Sequence, residues 1–236
     1  MEATMSIRTI QHMALALLVA GLATLGLGNA ASASVITPSW ATGAADAANL
    51  EASFFSGYST VTTENFSGFN ANDQGPLALS VGTLTGGGYV GDNTTPQAGT
   101  GEFSVGPDLN YWSNGTPGST SGKNTFTLTF TNPVSAFGFY GTDVQDLGGQ
   151  TVLTFSTAGG DVNVNLFDLV GAQKNGTLNY FAFSSDSLIS SVTFHDAGND
   201  GYAVDNISTA TPIPGAVWLL GSGLLGLIGL RRRIQR

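Results

Sequence analysis

The stretch Thr125-Phe126-Thr127-Leu128-Thr129-Phe130-Thr131-Asn132-Pro133-Val134-Ser135-Ala136-Phe137-Gly138-Phe139-Tyr140 decides the fold class. Phe126, Leu128 and Phe130 alternate with Thr125, Thr127, Thr129 and Thr131. A period of two places the apolar side chains on one face of a strand and the hydroxyls on the other, so one face is core and the other meets solvent. Asn132-Pro133 then interrupts the pattern. Proline lacks the N–H a ladder needs and Asn favours turns, so the spacing predicts a hairpin or a sharp corner before Phe137 and Phe139.

Outward from this segment the same short alternations recur at 59–66, 77–84, 150–156, 161–170, 178–183, 188–195 and 202–209, with Gly, Asn and Asp punctuating the gaps. Many short strands of this kind predict an all-β chain, an antiparallel β-sandwich of jelly-roll type over 59–210. In the preceding segment, 34–58, Ala44–Phe55 is Ala-rich and sets Leu50, Phe54 and Phe55 at helical spacing, which predicts one short helix. The region 86–122 is rich in Gly, Asn, Thr and Pro and reads as a long loop set, where binding residues tend to reside.

Charge narrows the function classes. Residues 34–211 carry fifteen Asp and Glu against Lys123 and Lys174, while four of the seven basic residues fall in the last six positions. So acidic a surface repels phosphate backbones and excludes nucleic acid as a partner. The chain has no cysteine, which removes disulfides, a thiol nucleophile and thiolate metal sites.

Both ends read as targeting segments. Arg8 and His12 precede an apolar run over 13–27, followed by Gly28-Asn29-Ala30-Ala31-Ser32-Ala33. A basic flank, an apolar stretch and a small-x-small site (Ala31, Ala33) make residues 1–33 a secretory signal peptide with cleavage after Ala33. At the other end, 211–236, Thr211-Pro212-Ile213-Pro214 leads into GAVWLLGSGLLGLIGL and then Arg231, Arg232 and Arg233. About 17 uncharged residues at 1.5 Å rise span roughly 25 Å, enough for one transmembrane helix over 214–230 across a thin bilayer core. The arginines mark the cytoplasmic side and place the preceding domain outside, while Trp218 suits the outer interface.

Pro212, Pro214, Ala216, Trp218, Gly221, Gly223, the Leu-Leu-Gly-Leu run and the terminal arginines together resemble the PEP-CTERM sorting signal, in its Pro-Leu-Pro-Ala-like variant. The resemblance implies processing by an exosortase-type membrane transpeptidase. It also implies transient anchoring in the inner membrane, then a place on the cell surface or in the extracellular matrix, beside the polysaccharide such bacteria secrete. Ile213 stands where the name-giving motif has Glu.

A second resemblance rests on Glu64-Asn65-Phe66-Ser67-Gly68-Phe69, on NPVSAFGFYGTDVQDLGG and on Asp200-Gly201-Tyr202-Ala203-Val204-Asp205-Asn206-Ile207. These are similar to the opening, middle and closing strands of carbohydrate-binding-like jelly rolls. In such domains a structural calcium ties the first strand to the last, which implies Glu64 and Asp205 as its ligands; calcium takes six to eight oxygens of this kind. Asp143, Asp146, Asp196 and Asp200 sit in two further acidic turns, where Asp is first of all a turn former.

For ligand binding, Trp112 and Tyr111 with Asp108, Asn110 and Asn114 form the expected sugar platform, since exposed rings stack on sugar C–H faces while amides and carboxylates take the hydroxyls. No catalytic residue is expected. His195, the one histidine beyond the signal, sits within a strand pattern, and no serine occupies a nucleophile elbow. The expected function is a non-enzymatic surface or matrix protein that binds or organises extracellular polysaccharide. A protein-contacting adhesin is the alternative, and a glycan-processing enzyme a more distant one.

Overall fold

The computed structural model describes residues 33–96, 101–106, 109–118, 124–146, 151–196 and 200–211. In chain order the elements are β1 (Ile36–Thr42), α1 (Ala44–Phe55), β2 (Val61–Glu64), β3 (Leu77–Ala78), β4 (Gly82–Gly86), β5 (Tyr89–Gly91), β6 (Tyr111–Ser113), β7 (Phe126–Thr142), β8 (Thr151–Thr157), β9 (Gly160–Asn165), α2 (Leu166–Val170), β10 (Leu178–Asp196) and β11 (Ala203–Ala210). Every strand pair is antiparallel.

Two long strands organise the rest. The first half of β7 lies between β4 and the second half of β10, which in turn pairs β8. The second half of β7 lies between β11 and the first half of β10, which pairs β1. Both strands therefore pass from one layer to the other, and the corner expected at Asn132-Pro133 is this crossing rather than a hairpin. A phase change proves the point: Phe126, Leu128 and Phe130 face the core on even numbers, whereas Phe137 and Phe139 face it on odd ones. In β10, Phe181 and Phe183 likewise give way to Val192 and Phe194 across register shifts between Ser184 and Ser191. An irregularity of one residue flips every later side chain, so both halves of each bent strand can face inward.

The layers meet through phenylalanines. Phe139 and Phe194 have ring centroids 5.1 Å apart, and Phe155 and Phe183 4.9 Å. Each ring so buried contributes roughly 1.5–3 kcal/mol by leaving water. On the outer side of the second layer, Ala136, Ala182 and Ala210 leave room for α1, which packs Ala47 and Phe55 against Tyr140 and Tyr180 with Leu50 and Phe54 partly buried. The helix spans the range its sequence predicts.

Four expectations change. The region 86–122 is not all loop, because β5 and β6 pair with each other and β6 extends the sheet through β11. The stretch 161–170 is not one strand, because Asn165 caps a short helix, its side chain accepting from Phe167 N–H at 2.9 Å. The stretch 77–84 is two strands, since Leu79 and Gly82 exchange backbone hydrogen bonds in a turn. β1, which the alternation did not mark, is an edge strand on β10.

Among the described residues no helix is long and apolar enough to cross a membrane. Ala31 of the signal site and the sorting residues Pro212, Pro214, Trp218, Gly221, Gly223, Arg231, Arg232 and Arg233 lie outside the described residues, as does the span at 214–230.

Candidate metal centre

At one end of the sandwich β7 runs out into residues 143–146. Asp143 and Gln145 both adopt left-handed backbone conformations, φ 67° and 72°. Non-glycine residues pay of order 1 kcal/mol or more for this, and they persist where surrounding contacts fix them. The fixing contacts are here: Asp143 N–H donates to Thr177 O at 3.0 Å, and Gln145 N–H donates to Asp200 Oδ2 at 2.6 Å. Gly176 N–H donates in turn to Asp143 Oδ1 at 2.5 Å.

Asp200, in the segment leading into β11, is held at this turn by Asn114. The Asn114 amide donates to Asp200 O at 3.0 Å and its Oδ1 accepts from Tyr202 N–H at 2.9 Å. The result is that carboxylate oxygens of Asp143, Asp146 and Asp200 all lie within 4.8 Å of one another. Asp143 and Asp200 are buried and Asp146 is half-buried. Neither Asp146 Oδ1 nor Asp200 Oδ1 has a hydrogen-bond donor among the described residues.

Electrostatics follow from that geometry. Burial pushes the Asp200 carboxyl up to about 8, with the neighbouring Asp146 and Asp143 adding to the rise. Burial likewise pushes Asp143 up to about 7, opposed by the Gly176 hydrogen bond and reinforced by Asp146 and Glu102. Glu102, in the segment beside Asp143, is pushed up to about 7 by burial. Carboxylates crowded together out of water resist ionising together, even where single donors reach them. A bound cation reverses that preference, and this group is placed where it could hold a metal ion.

The sequence pointed to other residues. Glu64 and Asp205 do come from paired strands, with Ile207 of β11 opposite Glu64 of β2. Their oxygens, however, are used as backbone clips. Glu64 accepts from Phe66 N–H (2.8 Å) and Ser80 N–H (2.7 Å), and Asp205 from Val105 N–H and Asn206 N–H (both 2.7 Å). The carboxylates that converge are those of Asp143, Asp146 and Asp200 instead. Asp143 and Asp200 are far apart in the chain, so only the pairing of β7 with β11 shows them as one group.

The expected sugar platform is corrected outright. Trp112 and Tyr111 are 0% exposed; Trp112 joins the central core, and Tyr111 Oη accepts from Asn93 at 3.0 Å. A ring enclosed on all sides has no face for a sugar. Asn114 is buried and committed to the 200–202 backbone, and the Asn110 amide donates to Phe66 O (3.2 Å) and Phe69 O (2.7 Å). Asp108 lies outside the described residues.

No family model matches the sequence, and no curated protein matches it. Among solved structures, the fold is similar to the K2 cleaved adhesin domain of Lys-gingipain, at 12% identity and a TM-score of 0.39, over 65% of this chain and 99% of that one. It is similar to the catalytic domain of a GH87 α-1,3-glucanase at 13% identity and a TM-score of 0.34, over 65% of this chain but only 28% of that one. Similarity extends also to the family 11 carbohydrate-binding module from Clostridium thermocellum, at 10% identity and a TM-score of 0.23, over 64% and 98%. At these scores the likenesses assign no activity.

Proposed function

We propose that this chain is an exported, non-catalytic protein that is sorted by an exosortase-type system and binds or organises extracellular polysaccharide at the cell surface or in the matrix. The observation that carries the reading is the order Pro212-Ile213-Pro214, an apolar run to Leu230 and then arginines, behind a cysteine-free acidic domain. The sandwich is read as a jelly roll of the carbohydrate-binding kind, with calcium as its structural cation. Calcium suits an all-oxygen carboxylate site facing an extracellular medium.

With Trp112 in the core, the polysaccharide contact passes to Trp40. It is 44% exposed on β1, an edge strand whose other side chains include Thr37, Ser39 and Thr42. A part-exposed indole on an edge strand offers apolar ring surface on which a sugar's C–H face can stack.

Depletion of the purified full chain, in mild detergent, by the producing organism's own extracellular polysaccharide tests the reading. Depletion is expected, and Trp40→Ala should weaken it at least threefold without changing the melting temperature. No depletion with either calcium or chelator would instead favour a matrix component that contacts protein. Deleting 212–236 should release the protein into the medium, and an unchanged cell-associated location would overturn the sorting part.

A further inference from the structure

The three-carboxylate group has a fourth acidic neighbour whose chemistry is unfinished. Glu102 belongs to segment 101–106, which lies directly on the 142–146 turn. Phe103 N–H donates to Thr142 Oγ1 at 3.2 Å, and that hydroxyl donates to Phe103 O at 3.1 Å. Gly101, at φ +67°, comes so close to the Asp143 carboxylate that a Cβ would overlap its Oδ1.

Glu102 is 1% exposed. Its Oε1 accepts from Ser113 Oγ at 2.8 Å, while Oε2 has no donor among the described residues. Asp200, 0% exposed, is in the same state at Oδ1. A buried carboxylate oxygen without a donor costs free energy, and while these groups are ionised they are acceptors only and cannot satisfy one another. A cation offsets the charge of both.

We propose that Asp143, Asp146 and Asp200 form one calcium site that staples the turn after β7 to the segment leading into β11, with Glu102 of the adjoining segment 101–106 adding its negative charge beside Asp143. The inference rests on the calcium part of the reading above and adds the ligand set and the job. The ligands are hard oxygens carried on separate loops, an arrangement whose flexibility suits the six to eight ligands of calcium better than the strict octahedron of magnesium. The staple acts where regular pairing ends, since β11 pairs β6 at only Ala203 and Val204.

Calorimetric titration of the full chain with calcium, and separately with magnesium, tests this. One calcium per chain is expected, bound at least tenfold more tightly than magnesium. Asp200→Asn keeps an acceptor for Gln145 N–H and should abolish binding. Glu102→Gln keeps an acceptor for Ser113 and should weaken binding at least fivefold. Far-UV circular dichroism on each variant reports folding, so that Glu102→Gln decides the matter if Asp200→Asn does not fold. No calcium binding by the wild type, or binding that survives in folded Asp200→Asn, overturns the site. A loss below fivefold in Glu102→Gln removes the Glu102 charge from it. Polysaccharide depletion is read apart from calcium, so a chain that binds calcium and ignores polysaccharide overturns the sugar reading alone.

Discussion

Trp112 meets Phe126 edge-on at 6.0 Å within the central core, and Gly88 leaves it space that a Cβ would fill. Truncating a ring so enclosed leaves a cavity, so Trp112→Ala should cost about 3–5 kcal/mol. Chemical denaturation reads that loss, and a variant as stable as wild type would show that the ring is not core. Gly101→Ala introduces both a left-handed alanine and an overlap with Asp143. It should destabilise by about 1–3 kcal/mol and weaken calcium binding in the same titration. A neutral variant would mean that the 101–106 segment moves freely off the cluster. Residue identity gave the chemistry of these positions and not their surroundings. Tyr111 and Trp112 stand among Gly, Asn and Pro, a loop composition, and are buried where β6 is flanked by β5, which pairs Tyr111, and by β11, which arrives from far along the chain to pair Trp112. The same distance hides the metal centre, since each Asp alone reads as a turn former.

At the scale of elements, the join between α1 and the sheet is open to a clean test. Tyr140 Oη donates to Glu51 Oε2 at 2.7 Å, and Ser208 Oγ donates more weakly to Glu51 Oε1 at 3.4 Å. Tyr140→Phe keeps the ring in its cluster and removes one hydrogen bond to a charged acceptor. The expected cost is about 1.5–3 kcal/mol, measured by denaturant midpoint with an unchanged slope. No change would mean that α1 is held by its apolar face alone. That face was legible: Ala44–Phe55 carries a 3.6-residue stripe, and the helix forms there because Ala136, Ala182 and Ala210 offer it a shallow bed. The Thr-Phe-Thr-Leu alternation was legible too, since it is local. β1 was not, because Pro38 breaks the pattern; an edge strand tolerates the missing N–H. Nor was the continuity of β7 and β10. Asn132-Pro133 announces a change of direction, and whether the chain turns back or crosses to the other layer depends on strands that are distant in sequence.

For the whole molecule, the acidic centre ties stability to pH and calcium together. Asp143, Asp200 and Glu102 are all pushed up in the folded chain, to about 7, 8 and 7, whereas in the unfolded chain such carboxyls titrate near 4. Between these values the native state holds more protons than the unfolded state. Stability therefore falls as pH rises through that window, the opposite of the usual carboxylate trend. The contribution is fully present below pH 4 and is lost by about pH 8. Calcium binds the ionised form, so its stabilisation grows as protons leave, by an amount set by the ratio of free calcium to its dissociation constant. In chelator the melting temperature should drop from pH 5 to pH 8; in millimolar calcium it should hold or rise, so the two curves diverge as pH increases. A chelator curve that is flat or rising over that range would mean that these carboxylates ionise freely in the folded chain. The centre would then be a solvated acidic surface, with no part in holding the loops.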